Sequence, residues 1–468
     1  MASKLEQLYA VLPVPLQNVA VSLQGWRFAR ERYGRIYQKY LDGLMRSQWL
    51  SHKEFREMQT NQLRSLLKEA VDNVPYYQRA LSNISKKIDS ISLDSTGEIP
   101  ILEKSVLRTR TREFINEQRL KYGYSRVQTS GTSGSPLSIP QDSYSIKHNV
   151  AFRNRQFRWA GITSEEVNVL LTARLILGNE NRPPFWRRNA AERQWLFSLY
   201  HISDKNLPEY VDEIAAIEPV YITGLPSALY ELARWIRDNG RIGDIRPWAI
   251  ITAGETVHNF QREEIERAFN SRIFDYYSSS EGAPFITQCP AGRMHINPES
   301  GIIEFLRPDG TKAEAGEDAE MVVTSFYQRT VPLIRYRIGD TAAFAENQSC
   351  PCGRQMPIVE YVGGRESDTL CSSERGRVGS AAISTVFYKL PFRLKESQIE
   401  QVGTDSFVFR YVPQDAPLSE QEKSTIIEEI KNRLGSSIDI DVQIVKEIPK
   451  GPNTKSRLIV GLKKDTDK

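Results

Sequence analysis

The sequence predicts an α/β protein that ends in a smaller α+β domain. Two observations carry the prediction. Short apolar runs at residues 167–171, 220–223, 248–252 and 272–276 alternate with helix-like stretches at 210–217 and 227–236. That is the texture of buried strands covered by helices. Beyond residue 363 the texture changes to a strand-length run at 406–412, a capped helix, and a strand in which Ile438, Ile440, Val442 and Ile444 alternate with polar residues. The period of two puts one face of that strand against a core.

Taken in order, residues 1–90 read as a helical extension. Arg27, Arg30, Arg32, Arg35 and Lys39 share it with Phe28, Tyr33, Ile36, Tyr37 and Leu41. Ser51 with Glu54 is a capping-box pattern that opens a helix through Phe55, Met58, Leu63 and Leu67. Two readings stand for this extension: a layer packed on the main domain, which the mixed charges favour, and contact with a membrane surface. The large domain is placed at 91–363. Within it, residues 301–306 and 320–325 read as antiparallel strands, and the turn at 307–310 follows the first. Gly363, Gly364 and Arg365 mark a hinge into a last domain at 364–468, where Ser419 with Glu422 starts another helix.

Composition narrows the function classes. Lys and Arg total 62 and Asp and Glu 58, a net charge of +4, too balanced for a nucleic-acid binder. No apolar run approaches the roughly 20 residues that cross a bilayer, and the N-terminal stretch, broken by Pro13 and Pro15, is a poor signal peptide. A cytoplasmic protein is expected. Four cysteines suit a reducing compartment, where clustered cysteines more often hold metal than pair.

The stretch richest in chemistry is Thr129, Ser130, Gly131, Thr132, Ser133 and Gly134, closed by Ser135 and Pro136. Glycine lets backbone N–H groups approach a phosphate, and the hydroxyls add donors. No lysine follows Gly134, so this is not a GxxxxGK[ST] loop. Four further stretches follow: Thr252, Ala253, Gly254 and Glu255; Asp275 to Glu281; Arg335 to Asp340; and Lys455 in a polar C-terminal loop.

In this order the five stretches resemble the adenylate-forming (acyl-activating) enzymes, above all the phenylacetate–CoA ligase-like branch with its CapK-type members of capsular polysaccharide synthesis. The resemblance covers about residues 60 to 460. It implies a large nucleotide- and acid-binding domain and a mobile C-terminal lid. It also implies roles. Residues 129–134 hold ATP phosphates, with Thr132 among the catalytic groups; Ala253, Gly254 and Glu255 form the adenine-side turn. Tyr277 stacks on adenine, Ser280 contacts phosphate, and Glu281 helps hold Mg²⁺. Asp340 accepts the ribose hydroxyls, Arg365 reaches the nucleotide, and Lys455 is the catalytic lysine. Tyr221, Gly224, Ser278 and Ser279 are expected in the acid pocket, with Arg174 and His258 as weaker candidates. Where many members have Lys, this chain has Ser135; the Gly usual before the catalytic lysine is Thr454; and Gly379, Ser380 and Ala381 stand where a Pro-x-Glu signature is usual.

The resemblance implies ATP-dependent activation of a carboxylic acid to an acyl-AMP, with CoA as acceptor. An amine of a sugar nucleotide or glycan, or a carrier thiol, is the alternative acceptor, and a non-catalytic nucleotide-binding assembly protein is a third reading. Cys289, His295, Cys350 and Cys352 make up a second constellation. Three thiols and one imidazole are a closed tetrahedral Zn²⁺ set, expected to pin two loops close to the nucleotide.

Overall fold

The computed structural model describes residues 8–121, 123–128, 138–177, 183–307, 309–363, 369–379, 383, 386, 394–413, 416–448 and 459–462. A hairpin pairs β1 (Tyr124–Gln128) with β2 (Ser138–Asp142). The main strands follow as β3 (Asn168–Thr172), β4 (Trp186–Asn189), β5 (Gln194–Ser198), β6 (Tyr221–Gly224), β7 (Ala249–Ala253), β8 (Arg272–Tyr277), β9 (Ile286–Gln288) and β10 (Met294–Ile296). Then come β11 (Gly301–Leu306), β12 (Asp318–Ser325), β13 (Tyr336–Phe344) and β14 (Ile358–Gly363). Among the described residues, β3 to β14 join in one twelve-stranded sheet of order β11-β12-β13-β14-β10-β9-β8-β7-β6-β3-β5-β4. Its β5-β3-β6-β7-β8 portion is parallel, and from β8 onward to β11 every pairing is antiparallel.

The parallel half forms because its strands are apolar on both faces. In β7, Ile250 joins the cluster under the helices Leu207–Ile217, Pro226–Asp238 and Asn259–Phe269, while Ala249 and Ile251 join the cluster under the helix Ser143–Trp159. Tyr221 and Ile222 of β6, and Phe274 and Ile273 of β8, divide the same way. Successive side chains of a strand point to opposite faces, so a run without alternation is the signature of a strand buried on both. Ile250 is fully buried, and its truncation to Ala would cost about 2–5 kcal/mol.

Four helices, Val14–Arg32, Arg35–Ser47, His52–Asn73 and Pro75–Ala80, form the N-terminal layer. The third begins in the expected capping box: Ser51 N donates to Glu54 Oε2 at 2.8 Å and Glu54 N donates to Ser51 Oγ at 3.3 Å. The layer packs on the sheet. Leu63, Leu66, Leu67 and Ala70 enter the core of the antiparallel half beside Val323, Leu333 and Ile338.

At the C-terminal end, a hairpin of β15 (Thr369–Ser372) and β16 (Gly376–Gly379) precedes a four-stranded sheet. That sheet comprises β17 (Leu394–Gly403), β18 (Ser406–Pro413), β19 (Asp439–Ile444) and β20 (Ile459–Val460), in the order β19-β18-β17-β20. The helix Glu420–Leu434 starts at the Ser419–Glu422 capping box and buries Ile426, Ile430 and Leu434. Ile438 is buried as its alternation predicts, but Ile444, at the far end of β19, is exposed. Leu370 and Val378 of the hairpin share one apolar cluster with Leu199 and Ile202 of the large domain, so the two sheets are joined through a common core.

Candidate functional site

The site is assembled by strand register. β6 pairs with β7 at Gly224 and Thr252, and β7 pairs with β8 at Ala253 and Tyr276. The parallel strands therefore end side by side, placing Gly224, Gly254 and Tyr277 along one edge of the sheet. In α/β sheets this carboxyl edge is where ligands bind. Gly254 has φ +86°, the left-handed region in which a side chain is strained, and it turns the chain sharply away from β7. Glu255 follows, its Oε2 accepting from the backbone N–H of Ser227 at 3.0 Å, and burial pushes its carboxyl pKa up.

Tyr277 and Asp340 meet across the sheet. The Tyr277 hydroxyl donates to Asp340 Oδ2 at 2.8 Å, joining the end of β8 to the middle of β13. Strand alternation sends Tyr276 to the other face, where it packs near Phe285 and the helix Ser143–Trp159. Behind Tyr276, Asp275 takes a hydrogen bond from Thr252 Oγ1 at 2.8 Å, and burial raises its pKa to about 6. The loop after β8 is tied down by its own hydroxyl: Ala283 N donates to Ser279 Oγ at 3.0 Å.

Glu281 is buried, and Lys104 Nζ lies 3.0 Å from its Oε1. Lys104 opens the helix Lys104–Thr109 and is placed by Leu102, which exchanges backbone hydrogen bonds with Arg335 and Arg337 at 2.8 and 3.0 Å. Nothing in the sequence marks this lysine, because its position depends on a two-residue pairing with β13 that no local pattern announces. Gln141 was likewise unmarked; its Nε2 donates to Ser280 O at 3.3 Å, holding β2 beside the Tyr277–Glu281 segment.

Residues 129–134, Arg365 and Lys455 lie outside the described residues. Their flanks do not. Gln128 and Ser138 pair at the loop end of the β1–β2 hairpin, Gly363 ends β14 opposite Thr341, and Ile459 begins β20. Of the expected acid-pocket residues, Gly224, Ser278 and Ser279 stand at or just beyond the carboxyl edge. Tyr221 stands at the opposite end of β6, buried in one cluster with Phe157 and Phe274. Arg174 follows β3 and lies over the ring of Phe28, 5.6 Å from its centroid, and His258 caps the helix Asn259–Phe269.

The cysteine and histidine ligand atoms converge. Cys289, His295, Cys350 and Cys352 each offer one ligand atom, all within 4.8 Å of one another. Cys289 Sγ is 3.6 Å from Cys350 Sγ, and Cys352 Sγ is 3.5 Å from His295 Nε2. His295 Nδ1 donates to Met356 O at 3.0 Å, which leaves Nε2 as the free lone pair, the usual arrangement for a metal-binding imidazole. Burial pushes the His295 pKa down to about 4, so the ring is neutral near pH 7. Burial likewise pushes the Cys350 thiol up to about 12, a cost that a bound cation would offset.

The cluster is not beside the nucleotide motifs. Cys289 follows β9, which runs antiparallel to β8, and Cys350 and Cys352 precede β14, whose far end pairs with β13 next to Asp340. The six residues of β14 span about 16 Å. The cluster thus stands at the opposite edge of the sheet, which corrects the expectation of loops pinned close to the nucleotide: two-strand topology reverses direction between the motif and the ligands. There it meets the helical layer. The Arg354 guanidinium lies 4.8 Å from the Trp49 ring and 4.2 Å from the Trp159 ring and donates to Gln48 Oε1, and His52 N donates to Gln355 Oε1 at 3.2 Å.

Comparison with known proteins accords with this geometry. Residues 370–461 match the CapK C-terminal domain family. CapK of Staphylococcus aureus is 27% identical over 463 residues, covering 97% of this chain and 99% of that protein. The chain is thus similar to CapK along nearly its whole length. Phenylacetate–coenzyme A ligase of Escherichia coli (strain K12) is 25% identical to this chain over 332 residues, covering 68% of it and 72% of the ligase. Among solved structures, 2-hydroxyisobutyryl-CoA ligase in complex with its acyl-AMP and CoA aligns with a TM-score of 0.58 at 16% identity, covering 88% of this chain and 91% of that one. The chain therefore has the fold of this adenylate-forming CoA ligase, with a large N-terminal and a small C-terminal domain.

Proposed function

We propose that the protein activates a small carboxylic acid with ATP, forming an acyl-AMP and pyrophosphate, and then passes the acyl group to CoA. The observation that carries this reading is the meeting of Tyr277 and Asp340 at the carboxyl edge of the sheet, 2.8 Å apart. A phenol ring there offers adenine a flat apolar partner, and a carboxylate has two acceptor oxygens at about the spacing of a ribose diol. In the first half, a carboxylate oxygen of the acid attacks the α-phosphorus, the bond to the β-phosphate oxygen breaks, and pyrophosphate leaves. In the second, the CoA sulfur attacks the acyl carbon, AMP leaves, and the thiol proton is released.

The enzyme's own task is positioning and charge. Residues 129–134 would cradle the β- and γ-phosphates with backbone N–H groups and hydroxyls, and Lys455 would offset charge at the α-phosphate. A cation about 4 Å away contributes roughly 4 kcal/mol at an effective dielectric of about 20. Glu281 would help hold Mg²⁺; a buried carboxylate needs a cation beside it, and Lys104 supplies one here. The metal set fits zinc by donor chemistry, three thiols and an imidazole whose other nitrogen is held by a carbonyl. Zinc there would be structural, joining the Cys350–Cys352 loop to β9 and β10.

Pyrophosphate release measured with ATP and Mg²⁺ across a panel of carboxylic acids tests the proposal. Release should require both ATP and one class of acid. With CoA present, mass spectrometry should find an acyl-CoA; an acyl amide formed from an added amine instead would replace the acceptor but keep the first half. AMP that binds while no acid drives pyrophosphate release would leave a nucleotide-binding protein in place of a ligase.

A further inference from the structure

The first helix, Val14–Arg32, is packed inside out. Its inward face is polar or small apart from Val21, which packs with Ile176 and Leu196. Gln17, Val21 and Gly25 are buried, Arg188 N donates to Asn18 Oδ1 at 2.9 Å, and Ala190 N donates to Ser22 Oγ at 3.0 Å. Gly25 permits the contact, since a Cβ there would fall 2.1 Å from Asn189 Oδ1. The outward face is apolar: Leu16, Val19, Leu23 and Trp26 are 51%, 54%, 65% and 60% exposed. Their spacing of three, four and three residues puts them on one side of the helix. Leu8 and Val11, just before the helix, are exposed as well.

A helix held by its polar side leaves its apolar side for something else, because contiguous exposed apolar surface on a folded protein marks a binding face. The charges say what. From Leu8 to Arg30 the chain has no Asp or Glu, and its only charged residues are Arg27 and Arg30, both exposed at the Trp26 end. The Arg30 guanidinium lies 5.6 Å from the Trp26 ring centroid. Tryptophan and arginine beside an apolar stripe are the composition of a helix lying in a lipid headgroup layer. No helix of the described residues is long and apolar enough to cross a membrane, so the fit is to a surface.

We propose that the outward face of this helix docks the protein on an anionic membrane surface. Leu16, Val19, Leu23 and Trp26 enter the acyl boundary, and Arg27 and Arg30 meet lipid phosphates. A second copy of the chain fits less well, since like-charged arginines would face each other across a two-fold axis.

Sedimentation of the full-length protein with vesicles tests this. Phosphatidylcholine vesicles containing 25% phosphatidylglycerol are compared with phosphatidylcholine alone, and light scattering reports the oligomeric state. The wild type should partition onto the anionic vesicles at least about tenfold better than onto neutral ones, and less as salt rises. Leu16→Gln, Leu23→Gln and Trp26→Gln together should abolish binding at an unchanged melting temperature. Should that variant fold poorly, Arg27→Gln with Arg30→Gln leaves the apolar stripe intact and should still erase the preference for anionic vesicles. A wild type that stays in the supernatant with both vesicles overturns the proposal. So does a dimer that the triple substitution splits without any lipid binding.

Discussion

The hydrogen bond between Tyr277 and Asp340 fixes what removal of either side chain should do. Tyr277→Phe keeps the ring and deletes one hydrogen bond to a carboxylate, worth about 1.5–3 kcal/mol when fully lost. The ribose diol takes both Asp340 oxygens and must displace this bond, so deleting it should lower the ATP KM by about three- to tenfold at nearly unchanged kcat. Asp340→Ala removes the acceptor itself and should lower kcat/KM for pyrophosphate release by more than about 100-fold, with the melting temperature little changed. Asp275 is a different case. Its pKa in the fold is raised from 3.8 to about 6 by burial, so the folded protein holds that proton more tightly than the unfolded chain. Stability from this group therefore falls as pH rises through the window from about 4 to 6 and stays low above it. Asp275→Asn should raise stability by about 1–3 kcal/mol at pH 8 and by almost nothing at pH 4, read as melting temperature against pH.

At the scale of elements, the metal cluster and the turn after β7 show what local sequence can and cannot tell. The cysteine and histidine set was legible because ligand types clustered in two short stretches. Its position was not, because the direction of β9 relative to β8 is decided by pairing rather than by spacing. The capping boxes at Ser51 and Ser419 were legible for the opposite reason: their bonds close within four residues. Lys104 was hidden, since its partner Glu281 lies 177 residues away. From its position against Trp49, Trp159 and the helical layer, the cluster should act on stability. Purified protein should hold about one zinc per chain. Cys352→Ser or a strong chelator should remove it, lower the melting temperature by several degrees, and speed proteolysis between residues 345 and 357. Adenylation by the surviving folded fraction should persist. Loss of activity at unchanged stability would instead give the metal a part in the chemistry.

For the whole molecule, four of the five parallel strands were readable, those at 167–171, 220–223, 248–252 and 272–276 shifting by only a residue or so, whereas β5 was not marked. It was less readable in the antiparallel half, where β9 and β10 are three residues each and carry no periodicity. The exposed face of the first helix escaped the reading of residues 1–90 because mixed charges across the extension masked a segment without acids. Lys455, outside the described residues, is proposed as the lysine of the first half-reaction. Lys455→Ala should abolish acyl-AMP formation and spare thioester formation from synthetic acyl-AMP; equal loss of both would remove it from that role.

The central claim is that one nucleotide spans the carboxyl edge of the sheet between β8 and β13. A crystal structure with a non-hydrolysable acyl-AMP analogue measures this directly. The account predicts ribose hydroxyls within hydrogen-bond distance of Asp340, adenine against Tyr277, and phosphate facing residues 129–134. An analogue bound elsewhere, with Tyr277 still closed on Asp340, would contradict it.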